Sequence, residues 1–358
     1  MKQFASHLFA PAIVAGALAT LTTTAVGQWS DNFDSYAANS QVVGQGGWEE
    51  WGPGAGALVS SAQSRSTANS IDIVGATDLV HRYSGNTSGT WEYSAWQYIP
   101  TGTTGRQYFI LLSQYGSTNK WAVQVAFNPA TGNVEADAGG ARASNAQLVY
   151  DQWVQIQVVI HLDDDWVQFY YNGVLLDSAT VADHAVHGGG WTWTYGPFGN
   201  AAYGGLLEIG AVDLYANSAT SVYYDDLTLT KMHKGVRPYG APTPGTNGEA
   251  RADASGDAVG SNPLFGIKAS NGPILRVGLL AFTVTNYPSG IPLLGINLLV
   301  DPTFMILFPF LTSPTGGHAM AIPLAPSNVG GRVYCQYVFD EPGGRLSATN
   351  ALDIHVLK

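Results

Sequence analysis

Two kinds of side chain in this sequence are placed to do chemistry: acids gathered near both ends of its first 231 residues, and aromatic rings in glycine-rich surroundings. Asp31, Asn32 and Asp34 lie at one end of that stretch and Asp225 and Asp226 at the other. If the terminal strands pair, these side chains form an oxygen-rich cluster of the kind calcium takes, since it wants six to eight carboxylate, amide, carbonyl or water ligands. The plainer reading is that the aspartates accept backbone hydrogen bonds at strand ends. Among the aromatics, Trp191, Trp193 and Tyr195 alternate in GGGWTWTYGPFG. In an extended chain they point to one side and offer stacking faces for successive sugar units or for a partner. Folded back over the sandwich, the same loop buries them. Trp48 and Trp51 flank Glu49 and Glu50 in a second aromatic group, WEEWG, which also reads as a packed bulge or turn.

Other chemistries are poorly supplied. Glycoside hydrolysis needs two carboxyls facing one sugar, about 5 to 5.5 Å apart in retaining enzymes. Strand neighbours two or four apart would provide them, yet Asp163, Asp164 and Asp165 are consecutive, Glu49 and Glu50 are adjacent, and Glu208 and Asp213 have the wrong spacing. Tyr170, His161 and His187 are the residues a lyase would use, and they do not stand out from the many tyrosines and scattered histidines of the chain. No G-x-S-x-G elbow and no H-E-x-x-H pair occurs, and His184 and His187 lie in a glycine-rich loop. The single cysteine, Cys335, excludes an intrachain disulfide and sits in an alternating VYCQY run, so it reads as a small buried hydrophobe.

The elements that must position these residues are strands. In DQWVQIQVVIHLDDDWVQFYYNGVLLDS, 151–178, bulky apolar and polar residues alternate over 153–160, LDDD turns the chain, 166–171 follows, and Asn172-Gly173 is a hairpin signal before 174–176. A meander of this kind needs a second sheet to cover its apolar face. Aromatics on both faces of 91–98 mark a central strand. Amphipathic helical periodicity never persists. Residues 232–260 are rich in Gly, Pro, Ala and Ser and read as a linker. Seven short apolar segments then predict a smaller second sandwich over 261–358. The fold class is therefore all-β: a larger sandwich over 28–231 and a smaller one after the linker.

Composition narrows the setting. Charged residues are 11% of the 358-residue chain, against about 25% in ordinary domains. With net charge -11 and only 15 Lys and Arg, nucleic acid is disfavoured as a partner. Residues 1–27 have the pattern of a signal peptide, with Lys2, an apolar stretch over 8–21, and Ala25-x-Gly27 before a cut at Gln28. The expectation is a secreted or cell-surface protein without a transmembrane segment in its mature chain. The greasy stretch 291–311 is broken by Pro292, Gly295, Asp301, Pro302 and Pro309.

The acidic turn, the aromatic strand, the Gly turn before a short xLL strand, and the pairing of an early DNFDSY with a late SVYYDDLTL together resemble concanavalin A-like and laminin-G-like jelly-roll modules of bacterial secreted proteins. The resemblance covers about 29–231 and implies that first and last strands lie together. NPLFGI, LLVDP, GRVYCQYVF and LSATNAL resemble a C-terminal β module of exported planctomycete and myxobacterial proteins, which carries no function over. The expected function is non-catalytic binding of an extracellular polysaccharide, or adhesion, through an aromatic surface of the first sandwich. A structural surface or matrix protein is the alternative, and a hydrolase or lyase trails both.

Overall fold

A computed structural model describes residues 29–137, 142–176, 189–196 and 204–358. Two antiparallel sheets form the first domain. The nine-stranded sheet runs in the order Val174–Leu176, Trp166–Tyr171, Trp153–His161, Thr90–Tyr98, Val222–Met232, Ser70–Ile73 and Leu58–Ser60. Trp29–Asp31 pairs with Val222–Met232, and Trp191–Thr192 pairs with Trp166–Tyr171. The facing seven-stranded sheet runs Arg142–Gln147, Asn133–Asp137, Lys120–Asn128, Gln107–Gln114, Ala211–Tyr215, Asp78–Arg82 and Trp48–Glu50. This is the jelly-roll sandwich expected from the sequence, with first and last strands joined at Trp29↔Leu229 and Asp31↔Leu227.

Strict alternation fills the core. Along Trp153–His161, Val154, Ile156, Val158 and Ile160 turn inward, and across the gap Phe109 meets Tyr93 and Phe169 at ring-centroid distances of 5.6 and 6.0 Å. Each such side chain, fully buried, contributes about 1.5–3 kcal/mol. The turn after Tyr171 uses Asn172 and Gly173 at φ 50° and 74°, the left-handed pair that a two-residue hairpin needs.

The second domain is a smaller β-sandwich. A five-stranded sheet, Val236–Tyr239, Leu346–His355, Arg332–Asp340, Val277–Thr283 and Ile306–Leu311, packs on a three-stranded sheet of Arg251–Ala254, Gly266–Ser270 and His318–Ala321. The hairpin Asn286–Leu293 with Ile296–Val300 covers the other face through Leu298, Leu299 and Val300. Cys335 is fully buried beside Tyr337 and Phe339, and burial pushes its thiol well above the usual range.

The expected linker is corrected. Residues 232–260 carry two strands of the second domain: Val236–Tyr239 pairs with Leu346–His355, and Arg251–Ala254 with Gly266–Ser270. In Arg-Ala-Asp-Ala the alanines are the inward face of a period-two pattern, with Ala252 and Ala254 buried and Arg251 and Asp253 exposed. Alanine is too small to announce that face by hydrophobicity. Among the described residues no sheet is shared across Met232–Val236.

Candidate functional site

The expected aromatic loop is not a surface. Trp191 and Trp193 are both 0% exposed and belong to the core of the first sandwich. Their indole N–H groups donate to the carbonyls of Ala122, at 2.9 Å, and Glu208, at 3.1 Å. Asp165 ties the chain down by accepting from Thr194 N and Thr194 Oγ1 at 2.9 and 2.7 Å. Gly190, at φ 97°, makes the fold-back possible, because a side chain there would collide with the Val167 carbonyl. Tyr195 alone of the three reaches solvent. His184 and His187 lie outside the described residues.

The expected calcium cluster is drawn together differently. Asp31 accepts from Phe33 N, Tyr36 Oη and Trp48 Nε1. Asp34 accepts from Asn32 Nδ2 and Asn69 N, and Ser66 Oγ lies between Asp34 and Asp226. Asp225 is fully buried and takes the backbone N–H groups of Arg65, Ser66 and Asp226. Burial, aided by the neighbouring Asp226, raises its carboxyl to about 7. Asp226 Oδ2 meets Arg65 Nη1 at 2.5 Å. The cation at this cluster is thus a guanidinium, and among the described residues no group of three or more His, Cys, Asp or Glu is placed to hold a metal ion. The donor set does not fit calcium as arranged, because its oxygens are already engaged by amides, hydroxyls and Arg65.

Trp48 and Trp51 part company because a strand alternates. Trp48 is 2% exposed and faces the core, where its indole N–H holds Asp31. Trp51, half-buried, turns to the outer face of the seven-stranded sheet, with Tyr115 at 4.8 Å and Trp121 nearly parallel at 6.2 Å between ring centroids. Val80, Ile110, Leu112, Ala126 and Ala211 make the floor beneath these rings. Tyr108 stacks on Tyr215 at 5.8 Å along the same face.

An acid pair lies in this floor, and local spacing hid it. Asp213 lies across from Val80 and Ile110, and Asp78 across from Tyr215. Their carboxyls lie close enough for each to shift the other's titration, and the Oδ1 atom of each is buried without a hydrogen-bond partner among the described residues. Burial, with the negative field of Asp78 added, pushes Asp213 well above the ordinary carboxyl range, and burial raises Asp78 as well. Two buried carboxyls side by side disfavour ionisation of both at once. Arg82 stands at the edge of this face, bound to Glu49 at 2.5 Å and lying 4.5 Å from the Tyr115 ring centre. The sequence signal was an acid inside AVDLY, a strand otherwise of apolar and aromatic residues; its partner is 135 positions away, by the difference of 213 and 78.

No protein-family model matches the chain. No curated protein matches it either. Solved structures similar to it include a sialidase at TM-score 0.39 and 10% identity, covering 58% of this chain and 19% of that one. Galectin LEC-6 of Caenorhabditis elegans is similar at TM-score 0.28 and 10% identity, over 44% of this chain and 94% of its own. A family 16 carbohydrate binding module is similar at TM-score 0.28 and 12% identity, over 56% and 100%. The chain spans about a fifth of that sialidase and 33% of a Trypanosoma rangeli sialidase.

Proposed function

We propose that this chain is an exported, non-catalytic carbohydrate-binding or adhesion protein that holds an extracellular polysaccharide on the outer face of its seven-stranded sheet. The observation that carries the reading is the half-buried group Trp51, Tyr115 and Trp121 set beside the Asp78–Asp213 pair on a rigid sheet. Ring faces stack on the apolar faces of sugars. The Tyr115 hydroxyl and Arg82, at the edge of this face, offer an acceptor and donors to sugar hydroxyls, while the unpartnered oxygens of Asp78 and Asp213 stay buried in the floor. Catalysis is disfavoured by the same geometry. Glycoside hydrolysis needs two carboxyls reaching the scissile bond, whereas Asp213 is only 3% exposed and the Oδ1 atoms of both acids are buried.

Titration of the mature protein against a polysaccharide panel tests this. Trp121→Ala and Trp51→Ala are each expected to weaken binding by ~2 kcal/mol, roughly 30-fold, with melting unchanged. Trp191→Ala is expected to act through the fold, destabilising by ~3–5 kcal/mol. Undiminished affinity in the Trp51→Ala/Trp121→Ala double variant would remove this face from the site, and release of new sugar ends would make the protein an enzyme.

A structural surface or matrix role is the second reading, favoured by one observation. The edge strand Ile306–Leu311 is apolar yet largely exposed, with Ile306 63% and Leu311 59% accessible. Exposed apolar edges associate.

A further inference from the structure

The outer face of the nine-stranded sheet looks toward the second domain, and the two do not close on one another. Contacts join them at the margins: Arg65 Nη2 to Glu249 at 2.6 Å, and Arg237 to Gln157 Oε1 at 3.2 Å, with Gln157 donating in turn to the Pro238 carbonyl. Between these contacts lies a cleft of about 1690 Å³. Its floor is three strands wide. Gln157, Ser94 and Thr228 form one cross-strand row, Gln155 and Trp96 stand opposite each other in the next, and Glu92 faces Thr230. They share the outer face because the intervening Tyr93, Ala95, Ile156, Leu227 and Leu229 fill the core.

The floor offers neutral hydrogen-bonding groups. Gln155 Nε2 donates to Ser94 Oγ at 3.0 Å, and its side-chain carbonyl accepts no hydrogen bond among the described residues. The hydroxyls of Thr228 and Thr230 and the indole N–H of Trp96 make no hydrogen bond among the described residues. Charges around the cleft nearly balance: Arg65 pairs with Asp226 and Glu249, Arg251 with Glu249 at 3.8 Å and Lys268 with Asp253 at 3.4 Å, while Lys231 and Asp31 line it with opposite charges. Little field is left to attract a charged polymer. A peptide would need a free sheet edge or apolar pockets, and this is a sheet face whose backbone bonds are satisfied between strands.

We propose that this interdomain cleft is a second binding site, taking a neutral, hydroxyl-rich oligosaccharide across Ser94, Trp96, Gln155, Thr228 and Thr230. It rests on the carbohydrate reading for its ligand class and shares no residue with the face described above. Glu92 supports it: burial raises this half-buried carboxyl to about 7, so near neutral pH it both accepts from and donates to hydroxyls. Because the walls come from both domains, the bound chain also holds them together.

The test is calorimetric titration of the full mature chain with cellohexaose, laminarihexaose, mannohexaose, an oligogalacturonate and an unstructured polar peptide. At least one neutral hexaose is expected to bind, and the near-isosteric Thr228→Val/Thr230→Val variant to bind it about tenfold or more weakly, with melting unchanged. With both sites present, Trp121→Ala is expected to remove the component of the titration that belongs to the aromatic face and to leave the component that the threonine variant weakens. The cleft site is overturned if no neutral hexaose binds, if only the oligogalacturonate or the peptide does, or if the threonine variant binds like wild type. Binding lost in Trp121→Ala but kept in the threonine variant would leave the aromatic face standing and remove the cleft. The reverse pattern would keep the cleft and remove the face.

Discussion

Burial pushes Asp213 well above the ordinary carboxyl range, whereas in the unfolded chain it releases its proton above pH ~4. Its folded pKa is raised, so the stability it contributes is full below the unfolded value and falls as pH rises toward the folded one. Asp225 and Glu92, each raised to about 7 by burial, act in the same direction. Stability is therefore expected to decline between pH ~4 and ~7. Asp213→Asn places an amide beside Asp78 and cannot ionise. Its melting temperature at pH 7 should equal or exceed that of wild type, and its decline across this window should be shallower. Melting curves at several pH values check this, and an unchanged slope would mean that Asp213 does not carry the pH dependence. The variant also keeps the Trp51, Tyr115 and Trp121 rings in place, so it separates stability from stacking.

At the level of elements, the joined terminal strands are secured by Arg65. This one side chain lies 3.8 Å from the Trp96 ring centre, meets Asp226 on its own domain and reaches Glu249 on the next. Breaking a largely buried ion pair by removing one partner costs about 3–5 kcal/mol, because it strands the other charge. Arg65→Ala is expected to lower the melting temperature, while a chelator is expected to leave wild type unchanged. A clear drop on chelation, reversed by calcium and absent in Asp226→Asn, would show instead that the aspartates reorganise around a metal ion. The same logic explains the strands within 232–260. Short pairings such as Arg251–Ala254 with Gly266–Ser270 are held by tertiary packing of alanines, which propensity alone does not reveal.

For the whole molecule, polar contacts join the domains around a cleft, while the second domain leaves an apolar edge open. On Ile306–Leu311, Pro309 pairs with Leu279 and lacks the N–H another strand would need, so the edge is partly blunted. Association there would depend on side chains. If the structural reading holds, sedimentation velocity should show concentration-dependent assembly of the wild type, and Ile306→Lys/Leu311→Lys should abolish it. A wild type that stays monomeric at high concentration would remove that reading.

The sequence by itself determined the all-β class, the two sandwiches and the burial of Cys335, because period-two alternation and Asn-Gly turns are local signals that packing then obeys; the pairing of the first and last strands was implied by the resemblance to jelly-roll modules. That pairing in turn brings Asp31, Asp34, Asp225 and Asp226 into one neighbourhood. Only the tertiary structure shows their partners, since Arg65 reaches Asp226 with its guanidinium and Asp225 with its backbone N–H from a separate segment. Trp191 and Trp193 look exposed in a glycine-rich run, yet glycine permits fold-back as readily as extension, and the burial of two indoles settles the choice. Asp78 and Asp213 have no local relation at all. A sheet brings together residues distant in sequence, so the acid pair and the cleft above the nine-stranded sheet came into being only when the strands were aligned and the second domain was set against the first.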